Sequence, residues 1–298
     1  MHGVLVIDKP PGMSSAHAVE HVRRTLAIER AGHGGTLDPI ATGVLPVCVG
    51  AGTKLAQFLL ADDKAYEAEG VLGIETDTLD RTGRVTAERT ADVGRDALLE
   101  VLARHLGEQA QIPPMYSAIK QGGVRLYDRA RAGEEVARAP RQIRIDRLEL
   151  LAFEPPRFRI AVACSKGTYI RSLVADIGSA LGAGAHLAEL RRTRSGCFTL
   201  EQAVPLDRLH EAKLVPPHEA SGLPRVTVPA ALIGRIFNGV QLPPAALGAE
   251  GLQQFQMLAE DGTLLGFAHA EAGRTVYDRM FPELALPGSQ GHAGRSGP

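Results

Sequence analysis

Cysteine is scarce in this sequence. The 298 residues include three, Cys48, Cys164 and Cys197, far apart and odd in number. That excludes a disulfide framework and a CxxC zinc ribbon, and points to a reducing compartment. Long apolar runs are missing too. No stretch approaches about 18 uninterrupted apolar residues, so no membrane-spanning helix is expected. The opening Met1-His2-Gly3-Val4-Leu5-Val6-Ile7-Asp8 meets an acid too early for a secretory leader. The expected location is cytoplasmic. Phosphate-binding signatures are absent as well. The glycine-dense loop 32–39 is not followed by Gly-Lys-Ser/Thr and does not spell GxGxxG.

Net charge is nearly absent, at −1, but it is unevenly spread. Residues 1–119 carry −5, residues 120–194 carry +7 and residues 195–298 carry −3. A basic middle in a neutral chain is a local electrostatic footprint. Arginine outnumbers lysine 27 to 6, and arginine suits bidentate phosphate contact and stacking on bases. The 44% hydrophobic content is enough for a real core and excludes global disorder. The length fits one large domain plus a small one, or two medium ones.

Strand and helix patterns interleave irregularly, which predicts a mixed α/β or α+β sheet protein. Val4–Ile7 reads as a strand. Ser14 and Ser15 cap a helix carrying Val19, Val22 and Leu26. Leu45–Val49 reads as a buried strand, and Thr53 opens a short helix toward Leu60. Lys64–Gly73 alternates as a half-buried strand, Asp96–Leu106 is helical, and Ile143–Phe153 and Phe158–Cys164 are strands. Thr168–Leu181 is a helix stopped by Gly182 and Gly184. Residues 113–142 are poor in apolar side chains and rich in arginine. They look like a mobile basic insertion. A boundary near Pro216–Pro224 divides a first domain, 1–222, from a small β-rich module, 223–286. That module holds a helix from Pro229 to Phe237 and a hairpin about Asp261-Gly262. The tail, 287–298, has no core-forming residue and is expected to be disordered.

Three places can carry chemistry. The loop 32–39 presents Asp38 at a rigid turn before Pro39, preceded by His33. Arg171 falls in the first turn of its helix, where a cation opposes the helix dipole, so an anionic partner is expected. Tyr66 sits on a strand facing Ala68 and Gly70, with open space that suits a flat ligand.

The run Gly32-His33-Gly34-Gly35-Thr36-Leu37-Asp38-Pro39-Ile40-Ala41-Thr42-Gly43-Val44-Leu45-Pro46 resembles the catalytic motif of the bacterial tRNA pseudouridine synthases of the TruB type. Lys9-Pro10-Pro11-Gly12-Met13-Ser14-Ser15 is similar to that family's first motif, and Lys64-Ala65-Tyr66 to its tyrosine segment. Pro113-Pro114-Met115-Tyr116-Ser117-Ala118, Gly167-Thr168-Tyr169-Ile170-Arg171-Ser172-Leu173 and the run from Gly184 to Arg192 extend the likeness in order.

The resemblance implies a mixed, largely antiparallel central sheet with flanking helices, a basic thumb at 113–142 and a PUA-like RNA-binding module at 223–286. It implies isomerisation of uridine 55 in the T-loop of tRNA, with no cofactor or metal. Asp38 would be catalytic, and Tyr66, Arg171, Tyr169, His33 and Lys9 would bind substrate. Arg171 would pair with Asp38, Tyr66 would stack on the flipped uracil, and His33 would fill the vacated space. Lys120, Arg125, Arg129 and Arg131 would grip RNA from the thumb. The expected partner is the tRNA T-arm, with no obligate protein partner, no membrane, and a monomeric state. Three routes are open to Asp38: attack at C1′, addition to C6, or abstraction of the 2′ proton. Many relatives carry threonine where this chain has Gly34, so any RNA contact of that hydroxyl is lost. The alternative function is an RNA-binding tRNA-folding chaperone with a vestigial site. A guide-RNA-dependent enzyme is disfavoured by the thumb-like insertion.

Overall fold

The computed structural model describes residues 1–117, 119–134 and 136–285. The elements run β1 (Gly3–Lys9), α1 (Ser15–Thr25), β2 (Ala31–His33), β3 (Thr42–Val49), α2 (Ala56–Leu60), β4 (Lys64–Leu72), β5 (Ile74–Thr76), β6 (Val85–Glu88), α3 (Arg95–Arg104) and β7 (Gly107–Gln111). The basic insertion contributes a two-stranded ribbon, β8 (Lys120–Gln121) and β9 (Val124–Arg125), and a short helix, α4 (Leu126–Arg131). The chain returns through β10 (Arg141–Glu154), β11 (Arg157–Cys164), α5 (Ile170–Ala180), β12 (Ala185–Ser195), β13 (Phe198–Thr199) and β14 (Val204–Pro205). After α6 (Pro217–Ala220) come β15 (Arg225–Thr227), α7 (Ala230–Phe237), β16 (Gln254–Leu258), β17 (Leu264–Glu271), β18 (Arg274–Met280) and α8 (Pro282–Ala285).

The large sheet runs β14-β1-β3-β12-β4-β11-β10-β7. It is mixed and largely antiparallel, with parallel pairing at β1–β14 and β3–β12. Strand β12 lies at its centre, between β3 and β4, although its sequence was not read as a strand. Its register slips between Leu187 and Glu189 and again between Arg192 and Arg194. Each slip shifts the side-chain alternation, so no clean period of two survives in the sequence. Gly43 of β3 stands at φ +98°, where a Cβ would run into the Arg192 backbone oxygen. Only glycine lets these two central strands approach so closely.

One face of the sheet packs on α1, α3 and α5 in a core that includes Ile7, Leu45, Val162, Leu173, Ile177 and Leu187. Helix α1 begins where expected: Ser14 Oγ accepts from His17 N at 3.2 Å. Ser15 turns inward instead of capping, and bonds the 32–39 loop. Helix α5 starts at Ile170, two residues later than expected, with Tyr169 as its cap.

The second sheet runs β15-β16-β17-β18 and contains the expected hairpin. It has its own core around Phe255, Met257 and Leu265. Its other face joins the main body: Leu258, Leu264, Phe267 and Phe281 pack with Val4, Leu55 and Leu59. The Phe58 and Phe267 ring centroids are 4.4 Å apart, and Lys54 Nζ reaches Glu283 at 2.6 Å. The expected tail, 287–298, lies outside the described residues.

Candidate active site

The loop carrying Asp38 is fastened from three sides. Beneath it, Ser15 Oγ donates to Leu37 O at 3.0 Å and accepts from Leu37 N at 2.8 Å. Gly12 N donates to Pro39 O at 2.8 Å. Ala41 N donates to Asp38 O at 3.0 Å, closing the turn. Lys9, expected at the substrate, lies under this loop with no exposed surface. Its ammonium donates to Pro10 O and Met13 O at 2.8 Å and reaches Pro39 O at 3.5 Å. It braces the turn, because a three-donor ammonium enclosed by carbonyls has no bond left for a ligand. Burial lowers its pKa to about 8, against the opposing pull of the Asp38 charge.

Asp38 meets the guanidinium expected from the sequence. Arg171 Nε donates to Oδ2 at 2.9 Å and Nη2 donates to Oδ1 at 3.3 Å, a two-point grip. Arg171 is itself 3% exposed, whereas Asp38 is 33% exposed. The cation is locked and the anion is partly exposed. Arg171 is held by Nη1 to Thr78 O at 2.9 Å and Nη2 to Tyr116 O at 2.8 Å. A second acid, Asp80, approaches its Nε at 3.9 Å. Asp80 is buried and accepts from Thr78 Oγ1 at 2.9 Å, Thr82 N at 2.9 Å and Thr82 Oγ1 at 2.6 Å. The sequence reading missed it. The cue was there, in the turn-forming density of Asp77-Thr78-Leu79-Asp80-Arg81-Thr82-Gly83. Leu79 adopts φ +62°, a strained geometry for a branched side chain, between the carbonyl that holds Arg171 and the second acid.

Tyr66 lies on β4 at the edge of the core. The open space expected beside Gly70 is filled by the Phe158 ring from β11, its cross-strand partner. Tyr66 instead faces Arg192, its partner across β12 and β4, and the two side chains interact. Burial raises the phenol pKa, and the Asp38 charge adds to the effect, so the ring carries a neutral hydroxyl. Tyr169 is anchored by its backbone, with N accepted by Gln111 Oε1 at 2.8 Å and O receiving Gln111 Nε2 at 3.1 Å. Burial raises the pKa of its phenol as well. His33 is half-buried on β2 with an unpartnered Nδ1. Burial and then the Arg192 charge push its pKa down, which leaves the ring neutral.

Gly34 packs against Leu59: an added Cβ would lie 2.8 Å from the Leu59 Cβ. The position of the absent threonine is therefore occupied by a core leucine. Lys64, in the tyrosine segment, is buried and donates to Leu59 O at 3.2 Å, Leu60 O at 3.1 Å and also Asp62 O. Burial lowers its pKa to about 8.

A cavity of about 440 Å³ opens beside the loop, lined by Ile40, Thr42, Glu67, Ala68, Leu190 and Arg191 among others. Asp38, Tyr66 and Arg171 do not line it, so it adjoins the site without being the seat of the chemistry. Of the insertion residues, Arg129 turns toward its own segment, with Nη2 3.4 Å from Gln121 O and Nη1 3.7 Å from Glu134. The side chains of Lys120, Arg125 and Arg131 lie outside the described set. Among the described residues there is no group of three or more His, Cys, Asp or Glu side chains that would hold a metal ion. No described helix is long and apolar enough to cross a membrane.

Comparison with known proteins bears on the family of the chain. Residues 23–170 match the TruB family pseudouridylate synthase N-terminal domain, and residues 171–230 match the tRNA pseudouridylate synthase B C-terminal domain. The tRNA pseudouridine synthase B of Pseudomonas paraeruginosa is 55% identical over 207 residues, covering 70% of this chain and 68% of the relative. That of Cupriavidus metallidurans is 43% identical over 295 residues, covering 94% of each. A Cbf5-Nop10-Gar1 complex holds a chain that superposes with a TM-score of 0.74 at 28% identity, over 94% of this chain and 84% of that one. With these matches over most of its length, the chain belongs to the TruB family of pseudouridylate synthases.

Proposed function

We propose that this chain isomerises uridine to pseudouridine in transfer RNA, at position 55 of the T-loop. The observation that carries the reading is the Asp38–Arg171 pair, with its locked cation and its partly open anion. The names of the relatives point the same way.

A stacked uridine must leave the loop before any side chain reaches its glycosidic bond, at a cost of a few kcal/mol. Stacking on Tyr66 recovers about 1–3 kcal/mol of that. His33, neutral and half-buried, fits the space the base vacates. The C1′–N1 bond then breaks, the base turns, and C1′ bonds to C5. The proton on C5 leaves and N1 gains one, so nothing is added overall. Asp38 serves each open route because it is anionic and next to the sugar. Hydrolytic glycosidases need two carboxylates. Here the second one, Asp80, is buried behind the arginine and steadies it. Arg171 keeps Asp38 charged and aimed. Tyr169 closes the pocket against water, which would otherwise trap the detached base.

Residues 113–142 act as a thumb that grips the T-arm, and residues 223–286 act as a PUA-like RNA-binding module. The chain works as a monomer in the cytoplasm, without a partner protein, cofactor or metal. The test uses purified chain and an unmodified tRNA transcript, with no other RNA or protein. Carbodiimide labelling and primer extension should place one new pseudouridine at position 55. No product would sink the reading in favour of RNA chaperoning, and product that needs an added guide RNA would sink stand-alone recognition. The thumb has its own test. Arg125→Glu with Arg129→Glu should weaken tRNA binding and flatten its salt dependence, by about 0.7–0.9 in log–log slope per lost phosphate contact. An unchanged slope would remove the thumb from the binding surface.

A further inference from the structure

Arg192 is the bulkiest of the fully enclosed side chains among the described residues, at 1% exposure, and the reaction as described gives it no part. It has no carboxylate within ion-pair distance among those residues. A buried cation without an anion is costly, so what it holds is informative. Nε donates to Val44 O at 2.7 Å, Nη1 to Thr36 O at 3.3 Å and Nη2 to Gly35 O at 3.2 Å. The same guanidinium interacts with the Tyr66 side chain, its partner across the strands. Two of those carbonyls belong to the loop that carries Asp38, and the phenol belongs to the ring set to stack on the base.

The backbone explains how one side chain reaches both. Arg192 and Tyr66 are direct partners across β12 and β4, so their side chains share a face. On its other side Arg192 pairs with Gly43 of β3, where the missing side chain lets the strands close up. The slip in register just after Arg192 is the kind of bulge that re-aims a side chain. A guanidinium is a rigid planar fork with donors only. It cannot accept a bond from Tyr66, so in a bond between the two the phenol oxygen is the acceptor. The Tyr66 O–H is then left to point away from Arg192.

Taking the isomerase reading as given, we propose that Arg192 is a positioning residue. It ties the Gly35–Thr36 segment to the Tyr66 hydroxyl and so sets the spacing between the stacking ring and the Asp38 carboxylate. Lysine at 192 keeps the charge but loses the fork.

The test compares parent, Arg192→Lys, Tyr66→Phe and the double variant in single-turnover pseudouridine formation on saturating enzyme. tRNA affinity and melting temperature are measured alongside. Arg192→Lys should slow the reaction roughly 100-fold, as a displacement near 1 Å can, with affinity changed less than about threefold. In the Tyr66→Phe background the same substitution should cost at least about tenfold less, because the hydroxyl it held is gone. Equal losses in both backgrounds, or an Arg192→Lys rate within about threefold of the parent, would overturn the proposal. If Arg192→Lys does not fold, tyrosine labelled with 13C at Cζ supplies a readout in the parent. The Tyr66 signal, assigned by its loss in Tyr66→Phe, should stand apart from those of the other four tyrosines, shifted toward the phenolate position. A signal at the ordinary phenol position would count decisively against the contact. A parent that makes no pseudouridine would instead fail the isomerase reading, and the labelled signal would still decide the contact.

Discussion

Asp38→Asn should lower single-turnover pseudouridine formation by about 10⁴-fold or more while tRNA still binds, a barrier increase of about 5.5 kcal/mol or more. The change keeps the shape of the side chain and one oxygen for Arg171 to bond. It removes the negative charge on which all three chemical routes depend. The fold should survive, because Arg171 keeps its bonds to Thr78 O and Tyr116 O and retains Asp80 at 3.9 Å. That makes the experiment clean: a lost rate with unchanged affinity and melting temperature isolates the chemistry. Modified uridine formed at a tenth of the parent rate would remove Asp38 from its assigned part.

Arg171→Met should have the largest effect on stability. It leaves the buried Asp80 carboxylate without its cation and deprives the Thr78 and Tyr116 carbonyls of their donor. Removing one partner from a buried ion pair costs about 3–5 kcal/mol. The three donors that Asp80 keeps from Thr78 and Thr82 favour the lower end. For a chain of this size the melting temperature should fall by roughly 10 °C. Below the melt, the rate should fall by about 100-fold or more, because the Asp38 carboxylate is no longer aimed. A melting temperature within about 3 °C of the parent would show that Arg171 carries little of the fold.

The chemistry was more legible in the sequence than the sheet that supports it. Asp38 before Pro39, and a helix-start arginine in want of an anion, are local patterns, and the structure joins them at 2.9 Å. Strands with clean alternation or a short apolar run, such as β1, β4 and β11, were readable for the same reason. Strand β12 was not. Its leucines at 187 and 190 fall three apart, and two bulges break the alternation that marks a strand. Arg192 was hidden with it: nothing local distinguishes a buried arginine from its neighbours Arg191 and Arg194, which are more exposed. Asp80 was hidden because its partner lies 91 positions along the chain, in another element. Lys9 misled in the opposite sense, since a lysine in a motif suggests a ligand contact when only the fold shows its ammonium enclosed by carbonyls.

The acid and the arginine stand 133 positions apart in the chain. Their meeting is a late event in assembly, since contacts of such separation form only after the intervening loops have closed. A polypeptide still emerging from the ribosome has an Asp38 with no guanidinium to aim it until α5 has been synthesised and docked. Neither fragment of a chain cut between these two residues can house the reaction alone. Recovery of turnover from two co-expressed pieces would therefore report that the central sheet had been rebuilt across the cut.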